Sequence, residues 1–143
     1  MEEMKSNLLE KADSLTLARA IVAVLTEKKA LDVRLYNAGE GNSVTDYYVN
    51  ATGRSSTNVL ALADEVSYKI GLQGRNELRT EGRAGKSWLL VDYGDVIVNI
   101  FDKPSREFFN FDRLFAEDAR VDISDVIAEV DKKYDINNTA KDN

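Results

Sequence analysis

Two apolar runs at residues 87–93 and 95–101 flank Asp92-Tyr93-Gly94-Asp95, and this pattern constrains the fold more than any other part of the chain. Each run reads as a strand, and Gly94 supplies the permissive dihedral angles of a tight hairpin. Alternation along the first strand sends Trp88, Leu90 and Asp92 one way and Leu89, Val91 and Tyr93 the other. One set must lie under helices. The other belongs to a face with weaker cover.

The covering helices show in their periodicity. Leu15, Ala18, Ile21, Val22 and Leu25 recur at helical spacing, after a cap at Asp13, Ser14 or Thr16. Val59, Leu62, Ala63, Val66 and Ile70 repeat the pattern after Ser55 or Ser56, with Gly71 as the expected left-handed stop. Leu31, Val33 and Leu35 alternate with polar neighbours as a strand. Residues 37–43 read as a turn, 46–52 as a second strand and 76–80 as a short polar strand. Pro104 begins a short helix through Phe109, and residues 111–115 turn back onto the sheet. Ile123, Val126, Ile127 and Val130 mark a last helix, capped by Asp122 or Ser124 and frayed beyond Tyr134. The expected fold is α/β: a mixed α+β sheet of about five strands with helices mainly on one face. The second face is expected to be partly bare, or covered by the tail or a partner.

Composition removes whole classes of chemistry. The 143 residues suit one domain and contain no His and no Cys. This excludes disulfides, thiolate zinc sites, Cys nucleophiles, Ser-His-Asp triads and any imidazole base. No run reaches the roughly 18 apolar residues that cross a membrane. The acidic start lacks the form of a signal peptide, so the expected location is cytoplasmic. The net charge is −6. Residues 116–143 hold 8 acidic and 4 basic side chains, hence −4 of that total. The chain therefore divides into a domain at residues 1–115, including the first helix, and an acidic, partly helical extension at 116–143. A near-balanced core favours a protein partner over direct grip on nucleic acid.

Few constellations remain. Gly53-Arg54-Ser55-Ser56 lies between strand and helix, where backbone amides can meet an anion. No Gly-Lys-Ser/Thr follows, and a turn plus a cap explains the segment. Asp92 and Asp95 could hold Mg²⁺ with a third carboxylate from Asp32, Asp46 or Glu81. Asp in a turn already has a local role. No catalytic residue, metal ligand or cofactor is assigned. Trp88 and its strand neighbours fit either a core or a partner surface.

Several motifs then occur together in order. These are Asp46-Tyr47-Tyr48-Val49, Thr52-Gly53-Arg54-Ser55-Ser56, Ala61-Leu62-Ala63-Asp64-Glu65-Val66 and Glu81-Gly82, followed by Trp88-Leu89-Leu90-Val91-Asp92-Tyr93-Gly94-Asp95-Val96-Ile97-Val98. Arg106-Glu107-Phe108-Phe109 and Leu114-Phe115 complete the set. Over about residues 14–115 the chain resembles the ribosomal silencing factor (Iojap-related) family. The resemblance implies a nucleotidyltransferase-like fold, with Gly53-Arg54-Ser55 where those enzymes carry a Gly-Ser loop, but no enzymatic activity. It implies binding to the large ribosomal subunit through its fourteenth ribosomal protein. Joining of the small subunit would be obstructed, and translation repressed when nutrients run short. In the family the strand with the matching Trp contributes to that contact. The expected partner-binding residues are therefore Trp88, Leu90, Asp92 and Tyr93, with Glu81 and Asp95 as further acidic contacts. A homodimer through the same sheet face is a second partner expectation. The alternative is a Mg²⁺-dependent nucleotidyltransferase-type enzyme built on Asp92, Asp95 and a third carboxylate. The chain departs from the family at Asn99 and Asp102, where many members carry His, and in Val49-Asn50-Ala51, usually a more apolar run.

Overall fold

A computed structural model of the chain describes residues 6–39 and 44–142, and side chains up to residue 133. The hairpin is formed by β4 (Trp88–Asp92) and β5 (Val96–Phe101), and all six residues of β5 are buried. Around it stands a sheet in the order β3-β4-β5-β2-β1-β6. Here β1 is Leu31–Asn37, β2 is Tyr47–Thr52, β3 is Arg79–Glu81 and β6 is Arg120–Val121. Strands β2 and β5 run parallel, and the other neighbours described are antiparallel.

One face carries Leu35, Val49, Ala51, Leu89, Val91, Val98 and Ile100, all fully buried. Two helices cover it. Helix α1 (Ser14–Glu27) buries Leu17, Ala18, Ile21, Val22, Val24 and Leu25, and Asp13 caps it by accepting from the Thr16 amide at 2.8 Å. Helix α2 (Ser56–Leu72) buries Val59, Leu62, Ala63, Val66 and Ile70. Its cap is Ser55, whose Oγ accepts from the Asn58 amide at 3.1 Å. Ser55→Ala is expected to lower stability by about 1 kcal/mol, read as a shift in the urea midpoint at constant slope.

Some local expectations need correction. Helix α2 runs through Gly71, and the left-handed residue beyond its end is Gly74, with φ +100°. Both glycines lie near the end of the apolar stripe, but only the second falls one residue past the cap at Gln73. In β1 the alternation fails at Asp32, whose φ is +46°. Pairing shifts between Leu31 and Arg34, so a bulge turns Leu31 away from the face of Val33 and Leu35. The polar strand is shorter than expected and begins at Arg79, although the Leu78 amide already donates to the Asp92 carbonyl at 2.7 Å. Of the turn expected at 37–43, residues 40–43 lie outside those described.

The acidic tail joins the same body. Strand β6 pairs with β1 at Leu35 and Tyr36, which adds a sixth strand to the five expected. Helix α4 (Ser124–Asp142) extends past Tyr134, where the polar sequence predicts fraying; the side chains there lie outside the described residues. It packs against α1 rather than on the bare side of the sheet. Ile123 and Val130 are buried, and Arg19 pairs with Asp125.

The second sheet face is not left open either. Helix α3 (Lys103–Phe109) starts at an Asp102 cap with Pro104 in its first turn, and a 3₁₀ turn follows at Phe111–Leu114. Their aromatic side chains lie on the sheet. Phe115 stacks on Tyr36 at 4.3 Å between ring centroids, and Phe111 meets Tyr48 at 5.7 Å. Such pairs each add about 0.5–1.5 kcal/mol beyond the area they bury.

Candidate functional site

At the β3–β4 edge the second face reaches the surface. Register places Glu81 opposite Leu90 and Arg79 opposite Asp92, so both β3 residues share a face with Trp88 and Leu90. Glu81, Gly82, Trp88 and Leu90 line a shallow depression of about 300 Å³. Gly82 makes that shape possible. Its φ is +91°, and a Cβ there would stand 2.1 Å from the Trp88 carbonyl oxygen. Beside the depression, the Phe109 ring lies 4.9 Å from Trp88, and Phe108 lies 5.1 Å from Phe109. Phe108 is 82% exposed and Phe109 43%. An apolar strip of Leu90, Trp88, Phe109 and Phe108 thus faces solvent with Glu81 on its rim.

The six residues nominated from sequence do not form one group. Glu81, Trp88 and Leu90 come together around the depression. Asp92 follows on the same strand face, but its carboxylate accepts from the Gly94 amide at 2.7 Å and from Arg79 Nε at 3.2 Å. Asp95 lies across the turn and accepts from Arg75 Nη2 at 2.7 Å. Tyr93 needs the clearest correction. It is 3% exposed and packs in the helix-side core, so its ring offers no contact surface. Burial pushes its phenol well above the usual range, and its hydroxyl has no hydrogen-bond partner among the described residues. The cause is strand parity: Tyr93 follows Leu89 and Val91, not Trp88 and Leu90.

The arrangement required for a metal centre is also not met as drawn. Among the described residues no three carboxylates converge. Asp32 bonds to Arg34 Nε at 2.7 Å, on the far side of the face from Asp92. Gly53-Arg54-Ser55-Ser56 serves the turn. A Cβ on Gly53 would meet Val59 at 2.8 Å, and the Arg54 amide donates to Asn58 Oδ1 at 2.9 Å.

Sequence reasoning missed a polar group beneath the strip. Trp88 Nε1 donates to Asn99 Oδ1 at 3.0 Å, and Asn99 Nδ2 donates to Asn50 Oδ1 at 3.1 Å. Asn50 Nδ2 donates to Asp112 Oδ1 at 3.0 Å. Arg106 closes the series, with Nε to Asp112 Oδ2 at 2.6 Å and Nη1 to Thr52 Oγ1 at 2.9 Å. Burial opposes ionisation of Asp112, but hydrogen bonds from Arg106 and Asn50, with the charge of Arg106, hold its carboxyl below the ordinary value. The available signal was one Asn in the middle of each of two otherwise apolar strands.

Comparisons with known proteins bear on the family and the fold. A sequence model of the family described as "Ribosomal silencing factor during starvation" matches residues 11–143. The chain is 30% identical to the ribosomal silencing factor of Halalkalibacterium halodurans over 112 residues, covering 78% of this chain and 96% of that protein. It is 28% identical to the ribosomal silencing factor of Bacillus subtilis over 108 residues, covering 76% and 92%. A crystal structure of a protein from Chromobacterium violaceum superposes with a TM-score of 0.69 at 26% identity, covering 72% of this chain and 86% of that one.

Proposed function

This chain belongs to the ribosomal silencing factor family, and from that premise we propose that it docks on the large ribosomal subunit and blocks joining of the small one. The docking partner is the fourteenth ribosomal protein of the large subunit, and the outcome is repression of translation when nutrients are short. The names of the relatives support the general role. The observation that carries the finer one is the solvent-facing strip of Leu90, Trp88, Phe109 and Phe108 beside the Gly82 depression.

The mechanism is steric. Adjacent aromatic and aliphatic side chains at a rigid sheet edge form the kind of anchor that dominates interface energy. Glu81 pairs with Arg79 at 3.2 Å yet remains half-exposed, so it can meet a basic partner. Occupying a surface needs no proton transfer and no bond making. This chain and the small subunit compete for the same place on the large subunit, and the chain wins while it stays bound.

Phe108→Asp and Leu90→Asp test the surface directly. Each puts a charge into the strip, and Phe108 is too exposed to support the fold. Phe108→Asp is expected to keep the wild-type melting temperature closely. Leu90→Asp is expected to lower it, because Leu90 is only partly exposed and lies opposite Glu81. Both are expected to lose affinity for purified large subunits by about tenfold or more. Co-sedimentation with large subunits is the readout. Wild-type affinity in both variants would remove this face as the docking site.

A further inference from the structure

The docking strip rests on a hydrogen-bonded series whose direction is fixed at both ends. An indole N–H can only donate, and an ionised carboxylate can only accept. Trp88 Nε1 therefore requires an oxygen, and Asp112 requires a donor. Asn99 and Asn50 stand between them, opposite each other in the parallel register of β5 and β2. Each amide has one orientation that satisfies both neighbours, and the structure has it: oxygen toward Trp88, nitrogen toward Asp112. Asn50 is fully buried and Asn99 is 1% exposed, so any other orientation leaves polar atoms unsatisfied in the interior.

The series also links separate parts of the chain. It runs from β4 through β5 and β2 to the 3₁₀ turn, and Arg106 ties that turn back to α3 through Asp112. Arg106 is 7% exposed and reaches Asp112 with two nitrogens. The same helix carries Phe108 and Phe109, and the same turn carries Phe111, which lies 5.8 Å from Trp88. One end of the series thus orients the indole, and the other holds the helix that supplies the rest of the strip.

We propose that Asn50, Asn99, Arg106 and Asp112 are positioning residues for docking: they act through Trp88 and α3 to hold the strip in its binding shape before the partner arrives. This rests on the docking role proposed for that strip. Preorganisation of this kind raises affinity by removing the ordering cost from the binding step. It predicts a loss of affinity in variants that remain folded and whose exposed strip is chemically unchanged.

Trp88 is the sole tryptophan, so its fluorescence reports on the indole alone. The test compares wild type with Asn50→Val/Asn99→Val, which replaces both amides by apolar groups of similar size. The substitution removes both sides of the Asn99–Asn50 bond, which costs less than removing one side. It leaves Trp88 Nε1 without its acceptor and Asp112 with one donor fewer, so the double variant is expected to be less stable than wild type. In the folded double variant, acrylamide quenching of Trp88 is expected to rise about twofold, and affinity for large subunits to fall about tenfold. Should the double variant fail to fold, Arg106→Lys carries the same test, because Lys keeps the charge but loses the two-pronged contact with Asp112. Asp112→Glu, which keeps a carboxylate, is expected to restore most of the wild-type behaviour relative to Asp112→Ala. A folded variant with wild-type affinity overturns the positioning role, whatever its quenching. Leu90→Asp run in parallel separates the two failures. Loss of binding in Leu90→Asp alone overturns positioning and leaves the docking face in place. Wild-type binding in both overturns the docking face and positioning together.

Discussion

Arg106→Ala is expected to lower the unfolding free energy by about 3–5 kcal/mol, the largest effect of any single substitution considered for this chain. The side chain is buried, and its nitrogens bond to Asp112 at 2.6 and 3.2 Å and to Thr52 at 2.9 Å, with Asp32 at 3.7 Å. Truncation leaves the Asp112 carboxylate without its countercharge in a low-dielectric site. The effect is pH-dependent with a defined sign. Asp112 has a lowered pKa in the folded state, so its contribution is present above the unfolded carboxylate value and is lost as pH falls through the folded one. In Arg106→Ala the main cause of that lowering is gone. The stability gap between variant and wild type is therefore expected to be widest near neutral pH and to narrow in acid. Urea unfolding at neutral and acid pH measures it. A pH-independent gap would count against this account of Asp112.

Trp88→Ala is expected to lose binding to large subunits and also to lose about 3 kcal/mol of stability. The sequence alone left Trp88 open between a core and a partner surface. The structure places its ring against Phe101, Phe109 and Phe111 at 4.8, 4.9 and 5.8 Å. Truncation removes those contacts and leaves Asn99 Oδ1 without its donor. The binding defect of this variant thus has two sources, packing and contact. Phe108→Asp separates them, since it alters contact with little effect on packing. Thermal unfolding beside co-sedimentation resolves both terms; wild-type stability in Trp88→Ala would contradict the packing role.

The two residues differ in how visible their roles were from sequence. Helical stripes and strand alternation are local signals, and they located the core of α1, α2, β4 and β5 correctly. Alternation also put Tyr93 with Leu89 and Val91, which is where it lies; its expected contact role came from the family resemblance of the strand that carries Trp88 and ran against that parity. Bulges and stops are harder. Asp32 breaks the β1 register through its own backbone angle, and Gly74 rather than Gly71 follows the end of α2 because of where the cap falls. The polar series under the strip had only a faint local signal, one Asn within each of two apolar strands. Asn50 and Asp112 are 62 residues apart, and Asn50 and Asn99 are 49 apart. Each Asn read singly is a misfit in an apolar strand, and only the sheet order makes them partners. Residues 116–143 stood out by charge, which says nothing of Ile123 and Val130 being buried or of β6 completing the sheet edge.

The most direct test of the central claim is reassociation of purified large and small ribosomal subunits, followed by sedimentation with increasing amounts of this protein. Joined ribosomes are expected to fall as the protein saturates the large subunit, and Phe108→Asp and Leu90→Asp are expected to shift the effect to higher protein concentration by about tenfold or more. Undiminished joining at saturating wild-type protein would contradict that claim.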